Sequence, residues 1–493
     1  MDNKHVLSKS TFMRSCQCLK SLYLNKHHKE LRDNLDAGRE AIFSRGINVG
    51  KLAQQLFPGG VDASPPSSFE YDKSVLKTAE YIKNGAKIIY EAAFIHDGVL
   101  AAADLLVNHN GKWKAYEVKS STSVKEPFLL DGTLQYHVIT NAGIPLTDIS
   151  IIYLNNQYVR KGELKLRKLF KAESVIREAK KQQGFVVKQI EVAKTILKQT
   201  SAPKIDIGIH CNDPYPCDFI GHCFKHVPTI SVFDISRLLS ERKFELYNSG
   251  IVNLQDVPED FPLNNAQRIQ VDCYRTGAAM IDKGGIRRFL RSLEYPLCFL
   301  DFETFAPAVP LYDSSRPYQQ IPFQYSAHCK TSPHATATHF EFLAEAGNDP
   351  RPGFIERLLS DLKGSADILT YNKSFEIGRL RELALAFPKY AVQLERIILR
   401  VKDLMLPFQQ KLYYTPAMNG SYSIKAVLPA LVPDLNYDSL AIADGSSASN
   451  AFEQLIHETD VTKISAIRNH LLEYCKMDTL AMLKILEVLE HIP

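Results

Sequence analysis

The chain has 493 residues, of which 45% are hydrophobic and 23% charged, and its formal net charge is +4. This composition is that of ordinary globular proteins rather than disordered or fibrous ones, and the length predicts two to four domains of about 100–200 residues. The charge is too balanced to indicate a nucleic-acid partner by itself. Since no apolar run approaches about 18 residues and no secretory signal is present, a cytoplasmic protein without membrane contact is expected.

The first two hundred residues are predicted to form two helices, a sheet and a long helix. Residues 8–30 indicate a helix with a Ser-Lys-Ser-Thr cap and two cysteines, and a second helix is expected over residues 36–57. Alternation and hairpin signals over residues 86–154 predict the sheet. A lysine-rich stretch at about 165–199 favours a helix whose basic side chains face solvent or a phosphate backbone.

One hairpin of this sheet is predicted to set two acidic residues opposite each other. Asn110-Gly111 is a strong two-residue turn signal, because both positions of a type I′ turn need positive φ. With this turn His109 pairs with Lys112, and counting back sets Asp104 opposite Glu117. Their Cβ atoms would then lie about 4.5–5.5 Å apart on one face.

Lys119 lies two residues beyond Glu117 and therefore shares its face. Two opposed carboxylates repel each other unless a cation lies between them, and oxygen ligands at this spacing suit Mg²⁺ or Mn²⁺. Such an ion would polarise a phosphate and lower the pKa of a bound water, which Lys119 would orient. The alternative is a solvated strand face with a common Lys–Glu pair.

Residues 101–107 and 116–120 resemble the core of the PD-(D/E)XK nucleases, in their RecB-like branch. In that branch a helix bearing glutamine follows the sheet, and Gln135 lies at the matching position. Glu91 is in register for an upstream acidic helper residue. The resemblance implies a restriction-endonuclease-like fold and a nuclease site in this half of the chain.

The site residues that this resemblance implies are Asp104, Glu117, Lys119 and Gln135, with Asp104 and Glu117 as the metal ligands. Two positions depart from the branch. Gly50 stands where a histidine often follows on the early helix, and Ile139 replaces the usual tyrosine. These departures bear on metal binding and on the rate of nucleic-acid cleavage.

Three cysteines follow at residues 211–223 with the spacing C-x5-C-x5-C, and a further cysteine lies far upstream. Zinc ribbons prefer C-x2-C pairs, so this spacing fits them poorly. The pattern resembles the iron–sulfur subgroup of RecB-like nucleases, which includes the CRISPR-adaptation nucleases, and it implies a structural [4Fe–4S] cluster. The implied cluster ligands are Cys18, Cys211, Cys217 and Cys223.

Alternatives to this cluster remain open at the level of sequence. Cys16 is the fallback for Cys18, because both lie on one predicted helix. A zinc site that uses a nearby histidine (His210, His222 or His226) and simple buried thiols are the other two interpretations. The remaining cysteines are expected to be inert core thiols, namely Cys273, Cys298, Cys329 and Cys475.

Residues 229–292 are predicted to form a helical connector. The stretch 246–258 resembles a helix-hairpin-helix element, whose glycine turn can present backbone amides to a phosphate. A plain helical linker is the slightly favoured interpretation. From residue 293 onward a new alternating strand marks the last domain.

That strand carries Asp301 and Glu303, which must point to the same face because strand side chains alternate. Two buried carboxylates side by side are costly unless a metal holds them. Glu376 follows a short strand downstream, and Tyr474 and Asp478 lie one helical turn apart. Each motif alone could also be an ordinary structural feature, namely an acidic strand end, a helix start or a pair of residues on a helix surface. Three such motifs in this order are much less common by chance.

Together these segments resemble the motifs of the DEDD exonucleases, the DnaQ-like branch of the ribonuclease H fold, in its tyrosine variant. The implied ligands of two Mg²⁺ ions are Asp301, Glu303, Glu376 and Asp478. Tyr474 would orient the attacking water. Glu376 stands where the second motif normally has aspartate, and the longer side chain bears on the position of the second metal.

Nearly the whole chain resembles an uncharacterised bacterial family that fuses a RecB-like iron–sulfur nuclease to a DnaQ-like exonuclease. The expected fold class is α/β, with domains over residues 1–228 and 293–493 joined by the connector. The expected function is metal-dependent phosphodiester hydrolysis at two sites, with DNA favoured over RNA, in repair, recombination or defence. In the alternatives, only one site is active and the other domain binds nucleic acid, or the C-terminal half trims RNA.

Overall fold

The computed structural model describes residues 6–34 and 37–492, and for residues 37–44 it describes the backbone alone. The chain divides into two compact units. The first runs to His226 and includes Ala308–Tyr318, and the second comprises Val227–Pro307 and the chain from Gln319 onward. Both units mix helices with strands, so the predicted α/β class is confirmed at this level.

The first unit is built from a mixed sheet and the helices on its two faces. Its elements are β1 (Leu7–Ser8), α1 (Lys9–Gln17), α2 (Leu19–His27), α3 (Ala37–Gln54), β2 (Val61–Asp62), α4 (Tyr71–Lys83), β3 (Ile88–His96), β4 (Val99–His109), β5 (Lys112–Lys119), α5 (Glu126–Asn141), β6 (Leu146–Leu154), α6 (Leu166–Leu169), β7 (Phe170–Ser174), α7 (Ile176–Lys181), α8 (Gln183–Leu197) and α9 (Ile220–Cys223).

The strand order in this sheet is β2-β3-β4-β5-β6-β7, and β1 pairs with β4. Strands β3, β4 and β5 are antiparallel neighbours, whereas β6 runs parallel to β5. The predicted hairpin is confirmed: His109 pairs with Lys112, and Asn110 and Gly111 have φ values of 53° and 79°. This turn fixes the register of the strands that carry the acidic residues.

Two helix predictions in this unit need correction. The helix predicted over residues 8–30 is interrupted at Cys18, whose φ of −159° and ψ of 118° are extended, so that α1 ends and α2 begins there. The helix predicted over 165–199 is also wrong, since it contains β7 between α6 and α7. Phe170 is buried and pairs with Leu154 of β6, and sheet pairing prevails there over the helical pattern.

The second unit begins with short helices and continues as a sheet covered by longer ones. Its elements are α10 (Ser240–Asn248), α11 (Asn265–Thr276), β8 (Met280–Ile281), α12 (Lys283–Arg291), β9 (Leu297–Phe305), β10 (Ile321–Lys330), β11 (Thr338–Leu343), α13 (Arg351–Asp361), β12 (Asp367–Thr370), α14 (Lys373–Ala386), α15 (Ala391–Ile398), β13 (Val401–Asp403), α16 (Leu406–Gln409), β14 (Tyr413–Tyr414), α17 (Ile424–Leu431), α18 (Gly445–Leu455) and α19 (Val461–Glu490).

Its main sheet has the order β11-β10-β9-β12-β13, with β9 in the middle. Strands β11, β10 and β9 are antiparallel, and β12 and β13 run parallel to β9. An apolar core that includes Leu300, Phe354, Ile368 and Leu380 packs this sheet against α13 and α14. Hydrogen bonds therefore hold β9, which carries two of the predicted acids, on both of its edges.

The four cysteines expected to be inert thiols do not all behave alike. Cys298 on β9 and Cys329 on β10 are paired in register and form a disulfide, so the prediction of free thiols is wrong for these two. Cys273 and Cys475 are buried and free. In the described part of the chain, no helix is both long and apolar enough to cross a membrane.

Candidate functional site

Three neighbouring strands of the first unit carry a row of carboxylates. Leu105 pairs with Tyr116 across β4 and β5, so the next position of this register sets Asp104 opposite Glu117. The β3–β4 register sets Glu91 opposite Asp104 in the same way. The predicted row of acids therefore crosses β3, β4 and β5.

Two lysines and a glutamine lie between the carboxylates of Glu117 and Asp131. Lys119 Nζ lies 2.7 Å from Glu117 Oε1 and 2.5 Å from Asp131 Oδ2. Lys9 Nζ, on α1, lies 2.6 Å and 3.5 Å from the same two oxygens. Gln135 Nε2 donates to Glu117 Oε2 at 2.7 Å and to Asp131 Oδ1 at 3.0 Å. The structure thus brings the predicted Glu117, Lys119 and Gln135 together.

The charges of this row are unevenly compensated. Burial, followed by repulsion from Glu117, raises the pKa of Asp104 well above its ordinary value and that of Glu91 to about 7. Burial also acts to raise the pKa of Asp131, but the charges of Lys9 and Lys119 outweigh it and the pKa lies below its ordinary value. The charge of Lys9 lowers the pKa of both Glu91 and Asp104 but does not offset burial and repulsion there.

The donor set of this row fits a hydrated divalent cation. The buried Gln135 Oε1 has no hydrogen-bond partner among the described residues. Mg²⁺ prefers carboxylate oxygens and usually keeps several waters, which could donate to such an acceptor. Asp104 is held in place because one of its oxygens accepts a hydrogen bond from the Val118 amide at 2.5 Å.

Lys9 and Asp131 complete this site, and neither belongs to the sequence motifs that predict it. Asp131 lies four residues before Gln135 on α5, so both side chains project from one helix face, and this spacing is a signal that could have been used. Lys9 lies 108 residues from Glu117 in sequence, and nothing in its local pattern points to this contact.

The second unit collects its four predicted acids from three elements. Asp301 and Glu303 lie on β9, Glu376 lies in the first turn of α14, and Asp478 lies on α19. Burial raises the pKa of Asp301 well above its ordinary value, and repulsion from Asp478, Glu303 and Glu376 raises it further. Asp301, Glu303 and Cys475 each offer a ligand atom within 4.8 Å of the other two.

Three of the four carboxyls at this site are buried, namely Glu303, Glu376 and Asp478. Glu376 is 1% exposed, and burial is the main cause that raises its pKa to about 8. Its Oε2 atom has no hydrogen-bond partner in the part of the chain that the structure describes. Burial likewise raises the pKa of Asp478 to about 6. Buried acids with raised pKa values, gathered in one place, are expected to take up divalent cations.

Two further residues, which sequence analysis missed, surround the carboxylate of Asp478. The hydroxyl of Tyr437 donates to Asp478 Oδ1 at 2.7 Å. The ammonium of Lys425 lies 5.6 Å from the ring centre of Tyr437 and 5.4 Å from that of Tyr474. Neither Lys425 nor Tyr437 belongs to a predicted motif, and Tyr437 lies in a loop.

Another missed residue, Asp403, orients the helix that carries Glu376. The backbone amides of Asn372 and Lys373 donate to the two carboxylate oxygens of Asp403, each at 3.1 Å. Asn372 has a φ of 78° at the start of α14. Because the N-terminus of a helix attracts negative charge, this cap stabilises the turn on which Glu376 lies.

A pH dependence follows from these raised pKa values. Where the folded-state pKa exceeds the unfolded one, the contribution to stability is complete below the unfolded value and is lost as pH rises through the folded value. For Glu91, Glu376 and Asp478 the folded-state pKa values of about 7, 8 and 6 define this window. We expect the Tm in EDTA to fall as pH rises from about 5 to 8.

Differential scanning fluorimetry over this pH range measures the effect. Mg²⁺ should raise the Tm more at the alkaline end, where the carboxylates are ionised. Glu376→Gln should flatten the slope, whereas the exposed Glu395→Gln on α15 should leave it unchanged. A Tm in EDTA that is flat or rises over this window would contradict the prediction.

The four cysteines proposed as ligands line one small cavity of the first unit. Cys18, Cys211, Cys217 and Cys223 all border it, whereas Cys16 packs against the apolar core. The interruption between α1 and α2 directs Cys18 into this cavity, and the Ser21 and Lys20 amides support its thiolate. Burial raises the pKa of the Cys18, Cys211 and Cys223 thiols.

The spacing of these sulfurs bears on the choice of metal. Among the described residues, no three of the cysteine sulfurs lie within 4.8 Å of one another. A tetrahedral zinc with Zn–S bonds of about 2.3 Å would hold its sulfurs about 3.8 Å apart. Of the three histidines considered as zinc ligands, His210 lines the cavity, and His222 and His226 do not. The four thiols therefore border one cavity without standing at the spacing of zinc ligands.

Comparisons with known proteins identify two similarities. Residues 298–423 match the model of a domain of unknown function, DUF2779. The matched segment includes Asp301, Glu303 and Glu376 but ends before Asp478. An uncharacterised protein, UU173, of Ureaplasma parvum serovar 3 is 24% identical over 283 residues. The match covers 50% of this chain and 38% of that protein, so this chain spans less than half the length of the relative. No solved structure matches the chain significantly.

Proposed function

We propose that this chain is a metal-dependent phosphodiesterase that hydrolyses nucleic acid, with one site in each unit. The observation that carries the proposal is the set of four carboxyls at the second site. Burial raises the pKa of all four, and repulsion from other acids of the site raises that of Asp301 and Glu303 further. Divalent cations would relieve that repulsion. Asp301 and Glu303 on the central strand β9 also support the ribonuclease H-like assignment.

Bound Mg²⁺ or Mn²⁺ would polarise the scissile phosphate and acidify the attacking water. The protein's own residues prepare that chemistry. Tyr437 fixes the carboxylate of Asp478 by hydrogen bonding to Oδ1. Burial raises the pKa of the Tyr474 phenol, so this group keeps its proton at neutral pH and can donate a hydrogen bond to a water. Lys425 supplies positive charge beside both tyrosines.

In the first unit, Asp104 and Glu117 would hold the cation, and Glu91 lies in register to assist them. Lys119 and Gln135 both contact Glu117, which orients its carboxylate. The ammonium of Lys119 is positioned to stabilise negative charge that develops on a phosphate, or to orient a water. Together with the RecB-like motif, these contacts support a PD-(D/E)XK nuclease site.

The direct test uses single-stranded DNA, duplex DNA and RNA of one sequence, labelled at either end, with Mg²⁺, Mn²⁺ or EDTA. We expect metal-dependent cleavage that EDTA abolishes, with stepwise loss from 3′ ends by the second unit. DNA is the favoured substrate, and the RNA arm tests the trimming alternative. If no polymer is cut with either metal, the catalytic proposal fails.

The cysteine cavity is proposed to hold a [4Fe–4S] cluster that links Cys18 to the segment 211–223. Cys217→Ser should lower the iron and acid-labile sulfide content of anaerobically purified protein from about four of each per chain to less than one. It should also lower the Tm by several degrees, because a metal-linked crosslink stabilises the fold. Cys16→Ser is the matched control and should retain the cluster. About one zinc per chain with no iron would contradict this assignment.

A further inference from the structure

A strongly basic cavity, here called the basic basin, opens beyond the carboxyl end of β6 in the first unit. Its volume is about 440 Å³ and its lining comes entirely from residues 155–171. None of the described acidic side chains borders it. Its five exposed cationic residues are Lys161, Lys165, Arg167, Lys168 and Lys171.

Buried side chains form the floor of the basic basin, and hydrogen bonds hold its backbone in place. Tyr158 is 6% exposed and Phe170 is 7% exposed. The amide of Lys165 donates to the hydroxyl of Tyr158 at 3.1 Å, and Asn155 Nδ2 donates to the carbonyl of Lys168 at 3.0 Å. Within the described chain, the five cationic side chains form no ion pair and no hydrogen bond, so their charge is available to a ligand.

The basic basin lies at the same edge of the sheet as Lys119. Strands β5 and β6 are parallel, and their register pairs Lys119 with Tyr153, which pairs in turn with Lys171 of β7. Two strand spacings of about 4.8 Å place the backbone of Lys171 roughly 10 Å from that of Lys119. The amide of Leu154 donates to the carbonyl of Ser121 at 2.8 Å, which joins the loop after β5 to the end of β6.

A second cavity, of about 300 Å³, follows Lys119 directly along the chain. Its lining includes the hydroxyl side chains of Ser120, Ser121 and Thr122 together with Lys125. Hydroxyl and ammonium groups are common donors to the phosphates of nucleic acids. Polar donors therefore also follow Lys119 at this end of the sheet.

We propose that the basic basin binds the phosphodiester backbone of a nucleic-acid strand a few nucleotides from the bond held at Lys119. This inference rests on the proposed function, because it takes the Lys119 site as the place of cleavage. The unpaired cations line a concavity at the same end of the sheet as Lys119, which suits a flexible strand better than a flat lipid surface. Contacts of this kind bind phosphate without reading sequence.

The test measures binding of full-length protein to a fluorescent single-stranded oligonucleotide in EDTA, by anisotropy at several salt concentrations. The variant K165Q/R167Q/K168Q removes three cations from the basic basin. If each contacts one phosphate, the slope of log K against log salt should become less negative by about 2, and Kd at about 0.1 M salt should rise roughly 10- to 100-fold. K180Q/K181Q/K188Q, on α7 and α8, removes three exposed lysines elsewhere in this unit and should have a much smaller effect.

A photo-crosslinking amino acid at Val159 gives an independent readout if binding by the second unit masks the change in affinity. Val159 lines the basic basin and is 42% exposed, and Val187 on α8, at 44%, is the matched control position. Crosslinking of the oligonucleotide at 159 but not at 187 would support the proposal. Binding by the wild type with equal slopes in both triple variants, or with no crosslink at 159, would overturn it and leave the proposed function intact.

Two other outcomes bear on the class of ligand that the protein binds. If the wild type binds neither DNA nor RNA, the basic basin and the proposed function both fail. If the wild type binds vesicles containing phosphatidylserine but no oligonucleotide, and the basin variant loses that binding, the ligand is a lipid surface and the proposal is overturned.

Discussion

Asp301→Asn should lower the metal-dependent release of nucleotides from 3′ ends by about 10³-fold, which corresponds to about 4 kcal/mol of transition-state stabilisation. The reason is that Asp301 lies on the central strand and interacts with all three other acids of its site. The same change removes a repelled, buried carboxyl, so the Tm in EDTA should stay the same or rise. A smaller increase of Tm on addition of Mg²⁺ should accompany it.

Asp438→Asn is the matched control, because Asp438 is an exposed aspartate of the same unit. Asp438→Asn should leave the rate of nucleotide release from 3′ ends unchanged. Cleavage that depends on Lys119 should persist in Asp301→Asn, which separates the two sites. An Asp301→Asn protein that is folded and trims 3′ ends at the wild-type rate would exclude a catalytic role for the second unit.

Lys119→Ala should lower cleavage by the first unit by roughly 10²- to 10⁴-fold, the range typical for loss of a positioned proton-transfer or charge-stabilising group. Lys119 Nζ contacts both Glu117 and Asp131, so its loss removes one of the two cations that these acids share. Rates on a duplex with blocked 3′ ends measure this site in an Asp301→Asn background, where the second unit is silent.

Lys9→Ala removes the other cation that Glu117 and Asp131 share. It therefore tests whether Lys119 acts only by balancing their charge or also takes part in catalysis. If Lys119 acts on the phosphate, Lys9→Ala should retain more activity than Lys119→Ala at an equal Tm. Lys112→Ala, at the exposed start of β5, should behave like the wild type. If all three variants cut as well as the wild type, the first unit is better understood as a nucleic-acid-binding module.

The local geometry of the first site could be predicted from the sequence because a hairpin is a short-range structure. Asn110-Gly111 sets the turn, and the turn sets the register through Leu105 and Tyr116 to Asp104 and Glu117. Period-two alternation carries this information along the strands without any long-range contact. The same reasoning put Asp301 and Glu303 on one face of β9.

Groups that approach from distant segments could not be predicted in this way. Lys9 reaches Glu117 across 108 residues, and Tyr437 reaches Asp478 from a loop 41 residues away. Tertiary packing decides both contacts, and neither residue type is unusual in its local context. The disulfide between Cys298 and Cys329 depends in the same way on the pairing of β9 with β10, which sequence analysis did not assign.

Two of the predicted helices were wrong for a different reason. Cys18 and Phe170 both lie in stretches whose apolar spacing is compatible with helix, yet each is extended in the structure. Cys18 borders the cysteine cavity, and Phe170 is buried against the sheet through its pairing with Leu154. In both cases a tertiary contact outweighs a weak local preference.

The segment Ala308–Tyr318 has a consequence for dividing the gene. It lies within the first unit, where Arg160 donates to the carbonyls of Pro310 and Leu311 and the Tyr318 hydroxyl donates to the carbonyl of Ser120. Ala308 and Val309 pack against the apolar cluster of that unit. A fragment that stops at residue 226 would therefore expose this surface, and two open reading frames split there would each encode an incomplete product. Complementation between separately expressed halves should need a permuted gene that places residues 308–318 with the N-terminal half.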